Sequence, residues 1–173
     1  MVSNFIFKYF KMSRLTLLVI FSFFFSGMAS PPLRVGGPAP GFELETISGG
    51  TLKSSELYNK TIILNFWATW CVPCIKEMPE FNKAYASLKN NDVEIIAVNF
   101  AESRSKVDEF VKENHLNFPV LLDKYGSVSQ DYRVRGLPVT YFITPDGVVG
   151  DEIVGGGLTQ NLIEKKLKQL VAR

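Results

Sequence analysis

Cysteine occurs only twice in the 173 residues, histidine once and tryptophan twice. A structural zinc site needs four ligands and a catalytic one normally three protein ligands. Cys71, Cys74 and the distant His115 cannot supply either. Covalent haem attachment needs histidine directly after the second cysteine, and position 75 is isoleucine. A phosphate-binding loop is missing as well. Gly155, Gly156 and Gly157 are followed by no lysine and Ser/Thr in register, so they read as a turn before the last helix. No cofactor is expected. A basic surplus is also lacking. The chain has 19 basic and 17 acidic residues, and Lys8, Lys11 and Arg14 fall in the first thirty, where there is no acid. The remainder carries 16 bases against 17 acids, which argues against a nucleic-acid partner. Repeats and low-complexity tracts are absent too.

The front of the chain is greasy. After the basic residues 1–14 comes "LTLLVIFSFFFSGMA" (15–29), then small residues at a cleavage-like junction. A basic start, an apolar stretch and Gly27 and Ala29 together read as an export signal. Fifteen apolar residues are short of the ~20 that span a bilayer comfortably, which suits cleavage after Ala29. Ser30 to Leu33 extend the stretch by a turn, so an uncleaved membrane anchor stays open. No cysteine lies near the junction, which excludes a lipoprotein tether. Met12 begins a more ordinary signal and is an alternative start. The expected organisation is therefore 1–30 as signal or anchor and 33–173 as one domain.

From Leu33 the pattern alternates strands and helices. "RVGGPAPGFEL" is a Gly/Pro-rich lead-in, expected to be irregular. "GFELET" and "TLK", separated by "SGG", predict a hairpin, and Ser54 to Glu56 a short helical turn. "TIILNFWA" (61–68) and "VEIIAVNF" (93–100) are continuous apolar, β-branched runs, as in strands covered on both faces. Between them Ile75, Met78, Phe81, Tyr85 and Leu88 recur at helical spacing. This is a βαβ unit, which favours parallel strands. A second helix is expected from about Ser105, with Val107, Phe110 and Val111 inward and Asp108 completing a capping box. "FPVLLD" (118–123) reads as a strand and "SVSQDY" as a short helix. "VTYFIT" and "VVGDEIV" form a hairpin through Pro145-Asp146-Gly147, and Thr159 caps a final helix. The fold class is α/β: a central mixed sheet flanked by helices, with an added N-terminal β-hairpin.

The two cysteines sit in "NFWATWCVPC" (65–74). As a stability staple they would do little, because closing so short a loop gains little chain entropy. Inert free thiols sit badly with export to an oxidising compartment. Placement favours redox chemistry. Cys71 falls where a strand ends and a helix begins, so unpaired N–H groups and the helix dipole favour its thiolate. Such a helix end contributes up to ~2 kcal/mol. Cys74, one turn in, is better shielded. Cys71 is thus the expected nucleophile and Cys74 the resolving thiol.

"NFWATWCVPC" followed by "GLPVT" resembles the thioredoxin superfamily over nearly all of the chain from Val35 onward. "VGGPAPGFEL", "LNFWATWC", "CIKEMP" and "VNFAES" are similar to its exported, membrane-anchored TlpA/ResA-like thiol-disulfide oxidoreductases. The resemblance implies a cis Pro138 facing the cysteines, with the backbone at Leu137 pairing an extended substrate. It also implies active-site acids at Glu77 and Glu102. Asn65 stands where cytoplasmic thioredoxins carry a buried Asp. If Glu77 and Glu102 approach the thiols, their charge raises the cysteine pKa values and makes the couple more reducing. Trp67 and Trp70 are expected to wall the site, with Pro73 inside the motif, and His115 to be an exposed residue after a helix.

The implied activity is reduction of disulfides in exported proteins, with apocytochrome c or a sporulation-related protein as target. The implied partners are such substrates, a membrane thiol-disulfide electron donor, and the membrane itself if the anchor is uncut. A monomer is expected. Two other readings stay open: an oxidant or isomerase of exported proteins, and a non-catalytic binding module of the same fold. A peroxidase fits less well, since Thr69 alone does not make a peroxidatic site.

Overall fold

A computed structural model of the chain describes residues 33–88 and 92–171. The expected signal or anchor over 1–30 lies outside the described residues. Among those described, no helix is long and apolar enough to cross a membrane.

The chain runs β1 (Glu43–Thr46), β2 (Thr51–Lys53), a 3-10 turn (Ser54–Leu57), β3 (Thr61–Trp67), α1 (Val72–Leu88) and β4 (Val93–Phe100). It continues through α2 (Arg104–Glu113), β5 (Val120–Asp123), α3 (Ser127–Asp131), β6 (Val139–Ile143), β7 (Val149–Val154) and α4 (Gln160–Val171). The seven strands form one sheet in the order β2-β1-β5-β4-β3-β6-β7. β3, β4 and β5 are parallel, and the remaining pairings are antiparallel. The fold is thioredoxin-like, with β1–β2 as the added hairpin.

The apolar runs behave as their composition requires. Every residue of β3 is buried, because both faces are covered. Strand alternation sends Ile63 and Trp67 into one cluster with Met78 and Phe81 of α1, Val107 of α2, and Ile163 and Leu167 of α4. Ile62, Leu64 and Phe66 go to the other, with Phe42, Leu57, Val128 and Tyr132. Both cysteines belong to the first cluster. Parallel β3, β4 and β5 all end at the same edge of the sheet. β6 begins there and β7 finishes there, Val139 pairing with both Phe66 and Val154.

Several boundaries differ from expectation. α2 begins at Arg104 after Ser103, which makes no side-chain cap bond. The capping box at Ser105 and Asp108 is not formed; Asp108 pairs with Lys112 instead. At this helix start the Arg104 guanidinium donates to the carbonyls of Ile47 and Thr46, both at 2.9 Å. The fifth strand covers only 120–123. The lead-in is irregular, apart from one bridge between Pro38 and Val148, and it is tied down. Gly36 N–H donates to Val149 O (2.7 Å), Val149 N–H to Gly37 O (2.9 Å) and Ala39 N–H to Gly147 O (2.9 Å). Thr159 does cap α4, its hydroxyl accepting from Leu162 N–H at 3.3 Å.

Candidate active site

β3 delivers the chain to the sheet edge and α1 carries it back, so the turn 68–71 holds the first cysteine at a helix start. Cys71 is the N-cap of α1: its carbonyl accepts from Ile75 N–H (3.0 Å). Its Sγ accepts from Cys74 N–H at 3.3 Å, so the sulfur takes the place a capping oxygen usually fills. The two cysteines form a disulfide. Both are buried, Cys71 at 4% exposure and Cys74 at 1%, so the outer sulfur belongs to the first cysteine. A thiolate at Cys71 would keep the amide bond in charge-assisted form and gain from the helix dipole.

The Leu137–Pro138 peptide is cis. Just before it, Gly136 and Leu137 accept and donate no backbone hydrogen bond among the described residues. Pro138 itself is buried and its carbonyl accepts from Gly155 N–H at 2.8 Å. An unpaired stretch of chain thus lies at the same sheet edge as the cysteines.

Glu77 is no part of a solvated helix face. It is 2% exposed, one turn beyond Cys74 on the buried side of α1. Its Oε1 accepts from Leu158 N–H at 2.7 Å, while Oε2 has no partner in the described structure. Burial holds the carboxyl above its ordinary value, against the opposing pull of the Leu158 and Gly157 amides. Glu102 is the reverse case. Burial would raise it, but Lys106, Thr69 and Asn99 together hold it below the usual carboxylate range. Its Oε2 accepts from Thr69 N–H (2.7 Å) and Asn99 Nδ2 (2.8 Å), and its Oε1 from the Thr69 hydroxyl (2.7 Å) and Lys106 (2.8 Å). Glu102 therefore reaches the turn before Cys71 through Thr69.

Asn65 is buried beneath this region, on the same sheet face as the cysteines. Its Nδ2 donates to Thr140 Oγ1 at 2.9 Å, and its Oδ1 has no partner among the described residues. The tryptophans divide. Trp67 is fully buried in the cysteine cluster, 5.0 Å from the Phe110 ring. Trp70 stands 60% exposed, flanking the site rather than walling it. His115 is exposed after α2.

Sequence reasoning undervalued the three glycines. Gly155 binds Pro138, and Leu158 N–H binds Glu77. Gly156 packs so closely on Pro73 that an added Cβ would lie 2.9 Å from the proline Cβ. One loop thereby touches three of the expected site residues. The signal available was three consecutive glycines straight after a strand, two of them at positive φ (92° and 112°). Thr69, Asn99 and Glu80 were missed as well; Glu80 accepts from Gln160 N–H at 2.9 Å and helps hold α4 to α1.

Residues 35–151 match the AhpC/TSA family. The chain is 44% identical over 141 residues to thiol-disulfide oxidoreductase ResA of Oceanobacillus iheyensis, covering 79% of this chain and 73% of that protein. The chain belongs to the AhpC/TSA family of thioredoxin-like proteins. Within that family it is a thiol-disulfide oxidoreductase of the ResA/DsbE type. To ResA of Bacillus subtilis it is 41% identical over 144 residues, covering 83% and 79%. Among solved structures it is similar to a putative thiol:disulfide interchange protein DsbE from Chlorobium tepidum, with TM-score 0.72, 28% identity, and 81% and 96% covered. StoA from Bacillus subtilis is also similar, with TM-score 0.65, 27% identity, and 77% and 97% covered.

Proposed function

We propose that this family member reduces disulfides of exported proteins through Cys71 and Cys74, on the outer side of a bacterial membrane. The observation that carries this reading is the Cys71 sulfur capping α1, beside an unpaired Gly136–Leu137 backbone at the cis proline.

The chemistry follows from these residues. The Cys71 thiolate attacks one sulfur of the substrate disulfide, forming a mixed disulfide and releasing one substrate thiolate. The Leu137 backbone pairs with the substrate chain and lines up the attacked bond. The Cys74 thiol then gives its proton to Glu77 and attacks Cys71 Sγ. The mixed disulfide breaks, the second substrate thiolate leaves, and the Cys71–Cys74 disulfide remains. Two electrons have passed to the substrate. Restoring the dithiol takes two electrons from a membrane thiol-disulfide donor. Trp70 and Pro73 flank the exchange, and Glu102 holds the turn carrying Cys71.

The reducing direction rests on charge. When ionised, Glu77, buried one turn from Cys74, opposes a second negative charge on the pair, which disfavours the thiolate and hence the reduced form. Asn65 contributes none. Apocytochrome c and sporulation-related proteins are the leading targets, as the motif resemblance of the sequence implies. Residues 1–30 serve as export signal or anchor for the domain over 33–173, which works as a monomer.

A redox titration of the cysteine pair in defined thiol-disulfide buffers tests this. A potential below roughly −250 mV belongs with reductants such as thioredoxin. A value near about −120 mV would sink the reductant reading and favour disulfide formation instead.

A further inference from the structure

Large apolar side chains are unevenly spread over this surface. Six stand exposed among the described residues: Val35, Tyr58, Trp70, Val72, Tyr125 and Val154. Trp70, Val72 and Tyr125 follow the ends of β3 and β5, and Val154 is the last residue of β7, all at the sheet edge that bears the cysteines. Val154 is 71% exposed. It is the register partner of Val139, the residue after the cis proline.

Charge at this edge is uneven too. Arg133 and Arg135 are exposed in the stretch that leads into Leu137, and neither side chain makes an ion pair or hydrogen bond among the described residues. The nearby carboxylates are mostly committed. Glu77 is buried on the Leu158 amide, Glu102 is held by Thr69 and Lys106, and Glu152 accepts from the Tyr141 hydroxyl at 3.0 Å. Asp131 is the exposed acid that remains on this stretch.

We infer that Arg133 and Arg135 select the substrate: the segment that docks beside the cis proline is extended and carries carboxylates within a few residues of its reactive cysteine. This rests on the thiol-disulfide exchange proposed above and names the class of chain that enters it. The Gly136–Leu137 backbone lacks partners, so a substrate strand can add there, and successive residues of such a strand advance about 3.3 Å each. Carboxylates two to four residues from the cysteine then come alongside the two guanidinium groups, whose planar fork suits carboxylate oxygens. Val154 and Trp70 offer apolar surface to the side chains next to the cysteine. Complementary charge at an exposed rim acts chiefly on the rate of encounter and falls with salt.

The test uses the full chain in nonionic detergent, with Cys74→Ser so that the mixed disulfide with Cys71 accumulates whichever way electrons flow. Two peptides each carry one cysteine as a disulfide with the same small aromatic thiol, which leaves when Cys71 attacks the peptide sulfur, and they differ only in glutamate or lysine flanks. Mixed-disulfide formation is followed by mass spectrometry. The glutamate peptide should react about tenfold faster at low ionic strength, the lower end of the usual steering range. That ratio should fall towards one at about 0.5 M salt and in an added Arg133→Asn, Arg135→Gln pair. Asparagine suits the positive φ of Arg133 (53°). Equal rates, or faster reaction of the lysine peptide, would overturn the inference, as would a glutamate preference that survives both salt and the arginine substitutions. Reaction of neither peptide would overturn the thiol-disulfide reading beneath it.

Discussion

Glu102 grips Thr69 twice: one carboxylate oxygen takes the backbone N–H and the other the hydroxyl, each at 2.7 Å. Thr69 lies two residues before Cys71, so a residue beyond β4 fixes the turn that leads into the cysteine pair. The carboxylate side chain is only 5% exposed, which makes these bonds hard for water to replace.

Glu102→Gln should therefore cost about 1.5–3 kcal/mol of unfolding free energy at neutral pH, the range for hydrogen bonds to a charged group. Glu102 is held below its ordinary pKa. Its contribution is present above the unfolded carboxylate value of about 4.3 and is lost as pH falls through the lower folded value. The gap between wild type and variant, read by denaturant unfolding, should close in acid. A gap independent of pH would show that the negative charge is not what matters.

Glu77 predicts the opposite trend. Its folded pKa is raised, so the stability it contributes is present below about 4.3 and is lost as pH rises through the folded value. Glu77→Gln still offers an oxygen to Leu158 N–H without a buried charge. It should be no less stable than wild type at pH 8, and its thermal midpoint should vary less between pH 4 and pH 8. If Glu77 takes the Cys74 proton, the same variant should also slow release of substrate from the mixed disulfide by about 10–100-fold, within the reach of general-base effects. Unchanged resolution kinetics would remove Glu77 from the proton path.

Gly156→Ala tests the contact with Pro73. The backbone here is not in the left-handed region, so the cost comes from the new methyl group, placed 2.9 Å from the Pro73 Cβ. Overpacking of this kind costs about 1–3 kcal/mol. Exchange with a peptide disulfide should slow as the loop and the Cys-Val-Pro-Cys turn move apart. A variant with wild-type stability and rate would show that the loop yields freely.

Cys74→Ser should trap a covalent substrate adduct on Cys71, whereas Cys71→Ser should trap none. In the oxidised chain the outer sulfur caps α1 and the inner one is 1% exposed. Adducts found on Cys74 would reverse the two roles.

Much of the architecture was legible because it rests on local pattern. Continuous apolar runs announced β3 and β4, a 3–4 residue rhythm announced α1, and Pro145-Asp146-Gly147 announced the β6–β7 turn, where Gly147 takes φ 80°. The start of α2 was legible to within one residue, but its ties were not: Arg104 is bonded to carbonyls 57 and 58 residues away, Ile47 and Thr46. No local capping rule contains such a bond. Glu77 and Glu102 were visible as positions through family resemblance. Lys106, four residues on, and Asn99, three residues back, are near enough in the chain to hint that Glu102 is lowered. The two bonds from Thr69, and the burial that raises Glu77 against the pull of the Leu158 amide, are assembled only by folding.

By itself, then, the sequence determined the chemistry on offer: one cysteine pair at a strand-to-helix junction, too few other ligands for a metal, and strands and helices in a thioredoxin-like order. Those features depend on covalent spacing and on side-chain periodicity, which act within a few residues. Tertiary structure decided how that chemistry is tuned and approached. It placed the 155–157 glycines against Pro73 and Pro138, buried Glu77, clamped Thr69 and left the Arg133 and Arg135 side chains without partners among the described residues. Each of these depends on which distant groups exclude water or meet within hydrogen-bond reach, and that is set when the sheet closes.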